Sequence, residues 1–288
     1  MEIVPLAADS MGTRSMATYV ETSDSKILID PGVALGPYRY RLPPHPYEIE
    51  RMNEHWAKIK DYANKADILI VTHYHYDHHD PQEPEIYRNK EVFLKHPNEN
   101  INRSQKKRAS YFIKQLKDKP KKLKYSDGRT FSYGDTTIRF SKPVFHGTND
   151  RLGYVTEVSI REGDLCFLHT SDVEGPSIDD QAEFIFNEKP NVLFLDGPLS
   201  YMLGYRYSYA SLESSIKNMV RIIKETPIEN LVLDHHFLRD LKWEERISKV
   251  FEMTKAKDVE ILTSAEFWGM KNDMFEARRR ELYEEFPV

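Results

Sequence analysis

The sequence predicts a mixed α/β fold of the α+β class, and three observations support this prediction. Short runs of apolar and β-branched residues, such as residues 68–72, have the length and composition of buried strands. Segments with apolar residues at helical spacing, such as residues 49–63, lie between them. No internal repeat, low-complexity tract or linker interrupts the 288 residues. One domain covering residues 1–288 is therefore the simplest organisation.

The elements can be placed in chain order. Residues 3–7, 16–22 and 26–30 are predicted as opening strands, and a proline- and tyrosine-rich loop at 35–46 leads to the helix at 49–63. Further strands are predicted at 68–72, 91–95, 136–140, 144–145, 153–160, 165–168, 192–195, 231–233 and 259–262. Further helices are predicted within 103–124 and at 212–223, 242–255 and 274–286.

The composition indicates a soluble cytoplasmic protein. Charged residues make up 30% of the chain and hydrophobic residues 40%, and the net charge of −5 gives no overall attraction to nucleic acid. The single cysteine, Cys166, cannot form an intramolecular disulfide and fits a reducing compartment. We recognise no signal peptide, and no apolar run approaches the roughly 20 residues of a membrane helix. We therefore expect no membrane partner; no oligomeric state is predicted.

The strand at 68–72 ends in a cluster of side chains that can bind metal. Three histidines and a carboxylate follow within six positions: His73, His75, Asp77 and His78. Because an extended backbone alternates its side chains, His73, His75 and Asp77 project to one side, and His78 can come round in the next turn. Imidazoles and carboxylates suit zinc, iron or manganese. Since more candidate ligands follow later strands, the number of candidate ligands exceeds what one tetrahedral metal needs and indicates two metals.

The motif His73-x-His75-x-Asp77-His78 at a strand end resembles the signature of the metallo-β-lactamase superfamily. Within it the sequence is most similar to a poorly characterised group of archaeal hydrolases. The resemblance implies a four-layer αββα sandwich, in which two mostly antiparallel mixed sheets pack face to face with helices on both outer faces. Strand ends gathered at one edge of such a sandwich would bring together ligands that are distant in sequence.

The resemblance also implies a role for each ligand. One metal would be bound by His73, His75 and His146, the second by Asp77, His78 and His235, and Asp172 would bridge both. Asp77 and His78 are in addition the expected catalytic residues. The cofactors would be two divalent ions, zinc in the first place, with iron or manganese as alternatives.

Two of these assignments have alternatives. Thr170-Ser171-Asp172 stands where the family often has a Gly-Asp pair, so the nearby Asp179 and Asp180 are alternatives to Asp172. Neither of these two follows a strand, which favours Asp172. The last ligand is either His235 or His236, and side-chain alternation along the strand at 231–233 favours His235.

Other polar residues at strand ends are candidates for supporting roles. Asp30, in Asp30-Pro31-Gly32, resembles the superfamily's first motif and would orient a ligand histidine by hydrogen bonding, although a plain turn aspartate is equally compatible with the spacing. Asp196, His169 and His236 are candidates for hydrogen-bonding partners of the ligands, and for each histidine taken alone a purely structural role is favoured.

The expected activity follows from the metals. Two cations about 3.5–4 Å apart can hold a shared water as hydroxide and polarise the substrate. This predicts a dinuclear metal-dependent hydrolase that needs no serine or cysteine nucleophile, and no Gly-x-Ser-x-Gly motif is present. His235 follows Asp172 by 63 positions, which is too short for the inserted domain of the superfamily's RNA-cleaving nucleases. His75 stands where the superfamily's diiron reductases have glutamate, which disfavours redox chemistry.

Two features bear on the substrate. A tyrosine cluster with an arginine, Tyr201, Tyr205, Arg206 and Tyr207, is a candidate pocket because tyrosine gives an apolar wall with a hydroxyl and arginine pairs with anions. Packing of the alternating tyrosines in a surface loop is equally compatible with the sequence. The stretch 103–124 carries ten Lys or Arg against one acid. It could attract a phosphate-bearing substrate or nucleic acid, although a solvated helix followed by a lysine-rich loop is the favoured interpretation. Together the two features favour a phosphodiester or other phosphate ester. The alternatives are a nucleic-acid-binding or nuclease-like protein that uses residues 103–124, or an ester or lactone hydrolase.

Overall fold

Apolar residues on both faces of the central strands make the chain fold into two stacked sheets. The structure is a computed structural model that describes residues 1–255 and 257–288. The first sheet contains six strands in chain order: β1 (Glu2–Pro5), β2 (Thr18–Glu21), β3 (Lys26–Ile29), β4 (Ile68–Val71), β5 (Glu91–Leu94) and β6 (Lys122–Tyr125). β1, β2 and β3 pair antiparallel, whereas β3 to β6 are parallel.

The parallel pairs of the first sheet require crossover helices. Helix α1 (Pro46–Lys65) connects β3 to β4, and helix α2 (Arg103–Leu116) connects β5 to β6. Buried residues of both helices, including Ile59 and Phe112, pack with Leu69 of β4 on the outer face of the sheet. All four residues of β4 are buried, so this strand is covered on both faces.

The second sheet has seven strands in the order β15-β14-β13-β12-β11-β8-β7. These are β7 (Thr130–Tyr133), β8 (Thr136–Phe140), β11 (Val158–Glu162), β12 (Leu165–His169), β13 (Val192–Asp196), β14 (Asn230–Asp234) and β15 (Glu260–Leu262). Pairing is antiparallel from β7 to β12 and parallel from β12 to β15. A short antiparallel pair, β9 (Val144–Phe145) and β10 (Tyr154–Val155), lies between β8 and β11 in the chain.

Helices cover the outer face of the second sheet. They are α3 (Asp179–Glu188), α4 (Tyr209–Glu225), α5 (Trp243–Arg246) and α6 (Ser248–Thr254), and α7 (Ser264–Phe267) and α8 (Arg279–Glu285) follow β15. Ile185 of α3 and Met219 of α4 pack against Leu193 and Leu231 of the sheet. In the part of the chain that the structure describes, none of the helices has both the length and the apolar character needed to span a bilayer.

The inner faces of the two sheets form a shared core. Ile27, Ile70 and Phe93 of the first sheet are clustered with Phe140 and Phe167 of the second, all of them buried. Helix, sheet, sheet and helix are therefore stacked as four layers, and the expected αββα sandwich is confirmed. Parallel pairing is more extensive than expected, because helical crossovers connect β3 to β4, β5 to β6 and β12 to β15.

The structure differs from the sequence-based prediction in a few elements. The strand predicted at 153–160 is divided into β10 and β11, and the helix predicted at 242–255 is broken at Ile247 into α5 and α6. The terminal helix predicted at 274–286 is shortened to α8. Strands β6 and β7 and helix α3 were not predicted.

The C-terminal segment is attached to α1 by a buried ion pair. Glu48 and Arg279 are both fully buried, and the guanidinium donates through Nε and Nη2 to the two carboxylate oxygens at 2.7 Å each. Arg279 also donates to the backbone carbonyls of Gly36 and Leu42 at 2.9 and 3.1 Å. Every polar contact of this pair is therefore made within the protein, and removing one partner leaves the other charge buried without compensation.

We expect Arg279→Ala to lower the free energy of unfolding by about 3–5 kcal/mol, because it leaves Glu48 buried and unpaired. The neighbouring Arg278 pairs with Glu281 on the surface at 2.7 Å and is the matched control. Arg278→Ala should cost at most about 1 kcal/mol. Urea unfolding at pH 7 measures both values, and equal losses in the two variants would contradict the assignment.

Candidate metal site

Asp172 lies between two groups of histidines. It follows β12 and is fully buried. Its Oδ2 atom lies 3.1 Å from Nε2 of His146 and 3.3 Å from Nε2 of His73. Its Oδ1 atom lies 2.9 Å from Nε2 of His78 and 3.3 Å from Nε2 of His235. One carboxylate therefore faces two separate sets of imidazole nitrogens.

The six other ligand candidates from the sequence lie around this carboxylate. Potential ligand atoms of His73, His75, His146 and Asp172 lie within 4.8 Å of one another, and so do those of Asp77, His78 and His235. In the first group, Nδ1 of His75 is 3.1 Å from Nε2 of His146. In the second, Oδ2 of Asp77 is 3.7 Å from Nε2 of His235. The structure thus brings together residues separated by up to 162 positions in sequence.

The polar atoms at the centre of the site lack hydrogen bonds. Nε2 of His73, Nε2 of His78 and both carboxylate oxygens of Asp172 are buried and have no hydrogen-bond partner among the described residues. Burying such atoms without partners is costly. Nitrogen and carboxylate oxygen are also the donor atoms that zinc, iron and manganese accept. The residues present therefore fit metal cations.

Electrostatics in the metal-free protein point the same way. Burial opposes a charge on His78, but Asp172 and Asp30 outweigh burial and raise the pKa of His78 to about 10. Burial, helped by the neighbouring His146, lowers the pKa of His75 to about 3. The carboxylate of Asp172 thus holds positive charge beside it as a proton on His78, and a bound cation would take over that role.

Asp30 fixes the ring of His78. Its Oδ2 atom is 2.8 Å from Nδ1 of His78 and accepts from the hydroxyl of Thr72 at 2.6 Å, while Oδ1 accepts from the backbone N–H of Thr72 at 2.8 Å. Nε2 of His78 is thereby directed towards Asp172. The structure places Asp30 where the resemblance expects it.

A carboxylate that the sequence did not indicate orients His235. Asp9 Oδ2 lies 2.8 Å from Nδ1 of His235, and Asp9 Oδ1 accepts from Nε of Arg239 at 2.8 Å. Asp9 lies in a short 3-10 turn near the N-terminus, 226 positions from His235. Asp9 follows the predicted strand at 3–7 by two positions, but no motif marks it in the sequence.

The other supporting candidates lie at different distances from the ligands. Asp196 holds His236 through Nδ1 and through the backbone N–H, each at 3.0 Å, and the ring of His236 lies beside His146. His169 faces away, with Nε2 3.0 Å from the carbonyl of Met16 and Nδ1 accepting from the N–H of Ser171 at 3.1 Å. His169 therefore fixes the loop that carries Asp172 and lies outside the ligand cluster.

An open cleft leads to the site, and its walls are rich in arginine. The lining residues include the ligand candidates His75, Asp77, His146 and Asp172 together with Arg14, Tyr76, Arg108, Leu152, Glu174, Leu199, Tyr201, Arg206, His236 and Arg239. Tyr201 and Arg206 thus stand where the sequence placed them. Tyr205 is 84% exposed outside the cleft, and Tyr207 is buried with its hydroxyl 2.6 Å from that of Ser215.

The basic stretch 103–124 reaches the cleft through one residue, Arg108. Its guanidinium carbon lies 5.1 Å from the centre of the Tyr76 ring. Lys106 and Lys107 are exposed on the same helix but do not line the cleft. The exposed face of α2 therefore continues into the cleft at Arg108.

Comparisons with known proteins agree with this geometry. A family model described as the metallo-beta-lactamase superfamily matches residues 12–78, which contain Asp30 and the histidine motif. A UPF0282 protein of Korarchaeum cryptofilum is 57% identical over 100% of this chain and 96% of its own length. A UPF0282 protein of Metallosphaera sedula is 48% identical over 98% of this chain and 93% of its own length.

Among solved structures, the metallo-beta-lactamase fold protein YhfI from Bacillus subtilis has a TM-score of 0.58, with 16% identity over 91% of this chain and 95% of that one. At this identity the likeness shows the fold alone. The resemblance drawn from the motif is confirmed by these findings. The chain belongs to the UPF0282 family of archaeal proteins, within the metallo-β-lactamase superfamily.

Proposed function

We propose that this superfamily hydrolase uses two metal ions and acts on phosphate esters, a phosphodiester in the first place. The observation that supports two ions is the position of Asp172, whose two oxygens face two different histidine groups. A single tetrahedral ion needs about four protein ligands or fewer, whereas Asp172 and the six candidates around it make seven.

Each ion would have its own set of ligands. Nε2 of His73, Nδ1 of His75 and Nε2 of His146 would hold the first, and Asp77, His78 and His235 the second, with one oxygen of Asp172 on each. Zinc suits this imidazole-rich set, and iron or manganese are alternatives. Bound together, two such ions supply an activated water and polarise the ester.

The protein's own groups hold this site in position. Asp30 and Asp9 orient His78 and His235 through their Nδ1 atoms, which directs both Nε2 atoms towards Asp172. Asp77 lines the cleft with 17% of its side chain exposed, whereas Asp172 is fully buried. Asp77 is therefore the ligand carboxylate that can also accept a hydrogen bond from the attacking water.

The arginine side chains of the cleft support a phosphate ester over a neutral ester or lactone. Four arginines line it: Arg14, Arg108, Arg206 and Arg239. Guanidinium groups match the oxygens of phosphate in geometry and charge. A neutral substrate would use none of that charge.

We expect Asp77→Asn to lower kcat/KM for bis-p-nitrophenyl phosphate by at least roughly 100-fold, because a neutral amide replaces a charged ligand. The fold should be retained, as judged by thermal unfolding. Asp80→Asn is the control, since Asp80 lies outside the cleft and accepts only the backbone N–H of Gln82 among the described residues, at 2.8 Å. Wild-type turnover in Asp77→Asn would contradict the proposal.

A nuclease-like activity is the second candidate, and the continuity of α2 with the cleft at Arg108 favours it. Reversing the charge of Lys106 and Lys107 to Glu distinguishes the two. If the substrate is a nucleic-acid strand, the double variant should bind single-stranded RNA or DNA more weakly, with a shallower salt dependence. If the substrate is small, the double variant should hydrolyse bis-p-nitrophenyl phosphate at the wild-type rate. Its binding of single-stranded RNA or DNA should also be as weak as that of the wild type.

A further inference from the structure

Two of the cleft arginines are held rigidly by carboxylates. Arg14 donates from Nε and Nη2 to the two carboxylate oxygens of Glu276 at 2.5 and 2.6 Å. Arg239 donates from Nε and Nη2 to the two oxygens of Asp9 at 2.8 and 3.4 Å. Each guanidinium is thereby fixed in orientation through the same two nitrogen atoms.

The third nitrogen of each guanidinium is left for another partner. Nη1 of Arg14 and Nη1 of Arg239 make no hydrogen bond to the described part of the chain, and both residues line the cleft beside Asp77 and Asp172. Arg239 is 2% exposed, so little of its charge is solvated. Each of these two cleft-lining arginines therefore keeps one guanidinium nitrogen that its carboxylate partner does not use.

Arg239 lies against a candidate metal ligand, and its charge acts on Arg14. Nη2 of Arg239 is 3.4 Å from both ring nitrogens of His235. Burial and the charge of Arg239 both oppose the charge of Arg14, but Glu276 outweighs them and raises the pKa of Arg14. Both arginines stay cationic, and an anion between them would relieve their mutual repulsion.

We propose that Arg14 and Arg239 form a binding site for the phosphate group of the substrate, and that this site selects a phosphate ester over a neutral ester. This inference rests on the proposed hydrolase function. Arginine forks suit the several oxygens of a phosphate, and fixed guanidinium groups bind at a lower entropic cost than free ones. If the Arg14–Glu276 and Arg239–Asp9 pairs served only to connect chain segments, the two arginines would not need to line the same cleft.

The matched control is an arginine with the same kind of tie outside the cleft. Arg51 pairs with Asp273, which is also in the C-terminal segment, and donates to the carbonyl of Met11 at 2.8 Å. Arg51 does not line the cleft. Arg51→Lys therefore alters a contact between chain segments and leaves the proposed site unchanged.

The test compares two substrates with the same leaving group on the full-length, metal-loaded protein. For Arg14→Lys we expect kcat/KM on bis-p-nitrophenyl phosphate to fall roughly 10- to 100-fold, because a point charge replaces the fork. Hydrolysis of the uncharged p-nitrophenyl acetate should change by less than about threefold. Inorganic phosphate should inhibit Arg14→Lys more weakly by a similar factor, and Arg51→Lys should match the wild type in all three measurements.

Other outcomes are equally informative. Equal losses on both substrates at unchanged metal content would show a structural role and overturn the proposal. Weaker inhibition by acetate with unchanged inhibition by phosphate would assign the site to carboxylates and also overturn it. If Arg14→Lys fails to fold, Arg239→Lys is measured in the same way, with metal content as its check.

A wild-type protein that hydrolyses neither substrate would contradict the proposed function but not this site. Isothermal titration of the wild type and Arg14→Lys with inorganic phosphate then decides, because binding needs no turnover. Binding that is weakened at least tenfold in Arg14→Lys and unchanged in Arg51→Lys supports the site. Equal binding to all three proteins, or none, overturns it.

Discussion

The carboxylate of Asp172 sits without solvent and without hydrogen bonds between four imidazoles, and the rest of the site is arranged around that constraint. A buried carboxylate keeps its negative charge only where positive charge or hydrogen bonds stabilise it. In the metal-free protein that charge comes from protons, chiefly on His78 and His235, whose pKa values are both raised by Asp172 against the effect of burial. Metal ions would supply it without the protons.

The sandwich brings these groups together because each sheet contains parallel strands, and the carboxyl ends of these strands lie at the same edge of the sandwich. β4 of the first sheet leads to His73, and β12 and β14 of the second lead to Asp172 and His235. The hydroxyls of Thr72 and Ser171, one from each sheet, are 2.6 Å apart at this junction. Gly32 allows the loop after Asp30 to approach the motif, since a Cβ there would lie 2.3 Å from the backbone nitrogen of His79.

The ligand candidates could be predicted from sequence because each follows a short apolar strand, and strand ends are recognisable locally. Asp9, Arg14 and Glu276 could not be predicted, since they lie in turns and irregular segments, and their partners are more than 200 positions away. Tyr205 and Tyr207 were assigned to the pocket because tyrosine offers an apolar wall with a hydroxyl and Arg206 lies between them in sequence. Burial of Tyr207 against Leu199 and Leu212 instead directs one ring into the core and the other to solvent.

Edge strands were the other class of error. β6 is the last strand of the first sheet and contains Lys122 and Lys124, so its sequence reads as a lysine-rich loop. Lysines on an edge strand discourage pairing with another chain and are therefore compatible with β-structure there. β7, at the edge of the second sheet, was also missed, although Phe131 and Tyr133 alternate with Thr130 and Ser132.

The most direct measurement is an anomalous-scattering map of crystals of the metal-loaded protein. We expect two peaks about 3.5–4 Å apart, one on each side of Asp172, the first among His73, His75 and His146 and the second among Asp77, His78 and His235. A single peak, or peaks that do not contact Asp172, would contradict the two-metal site.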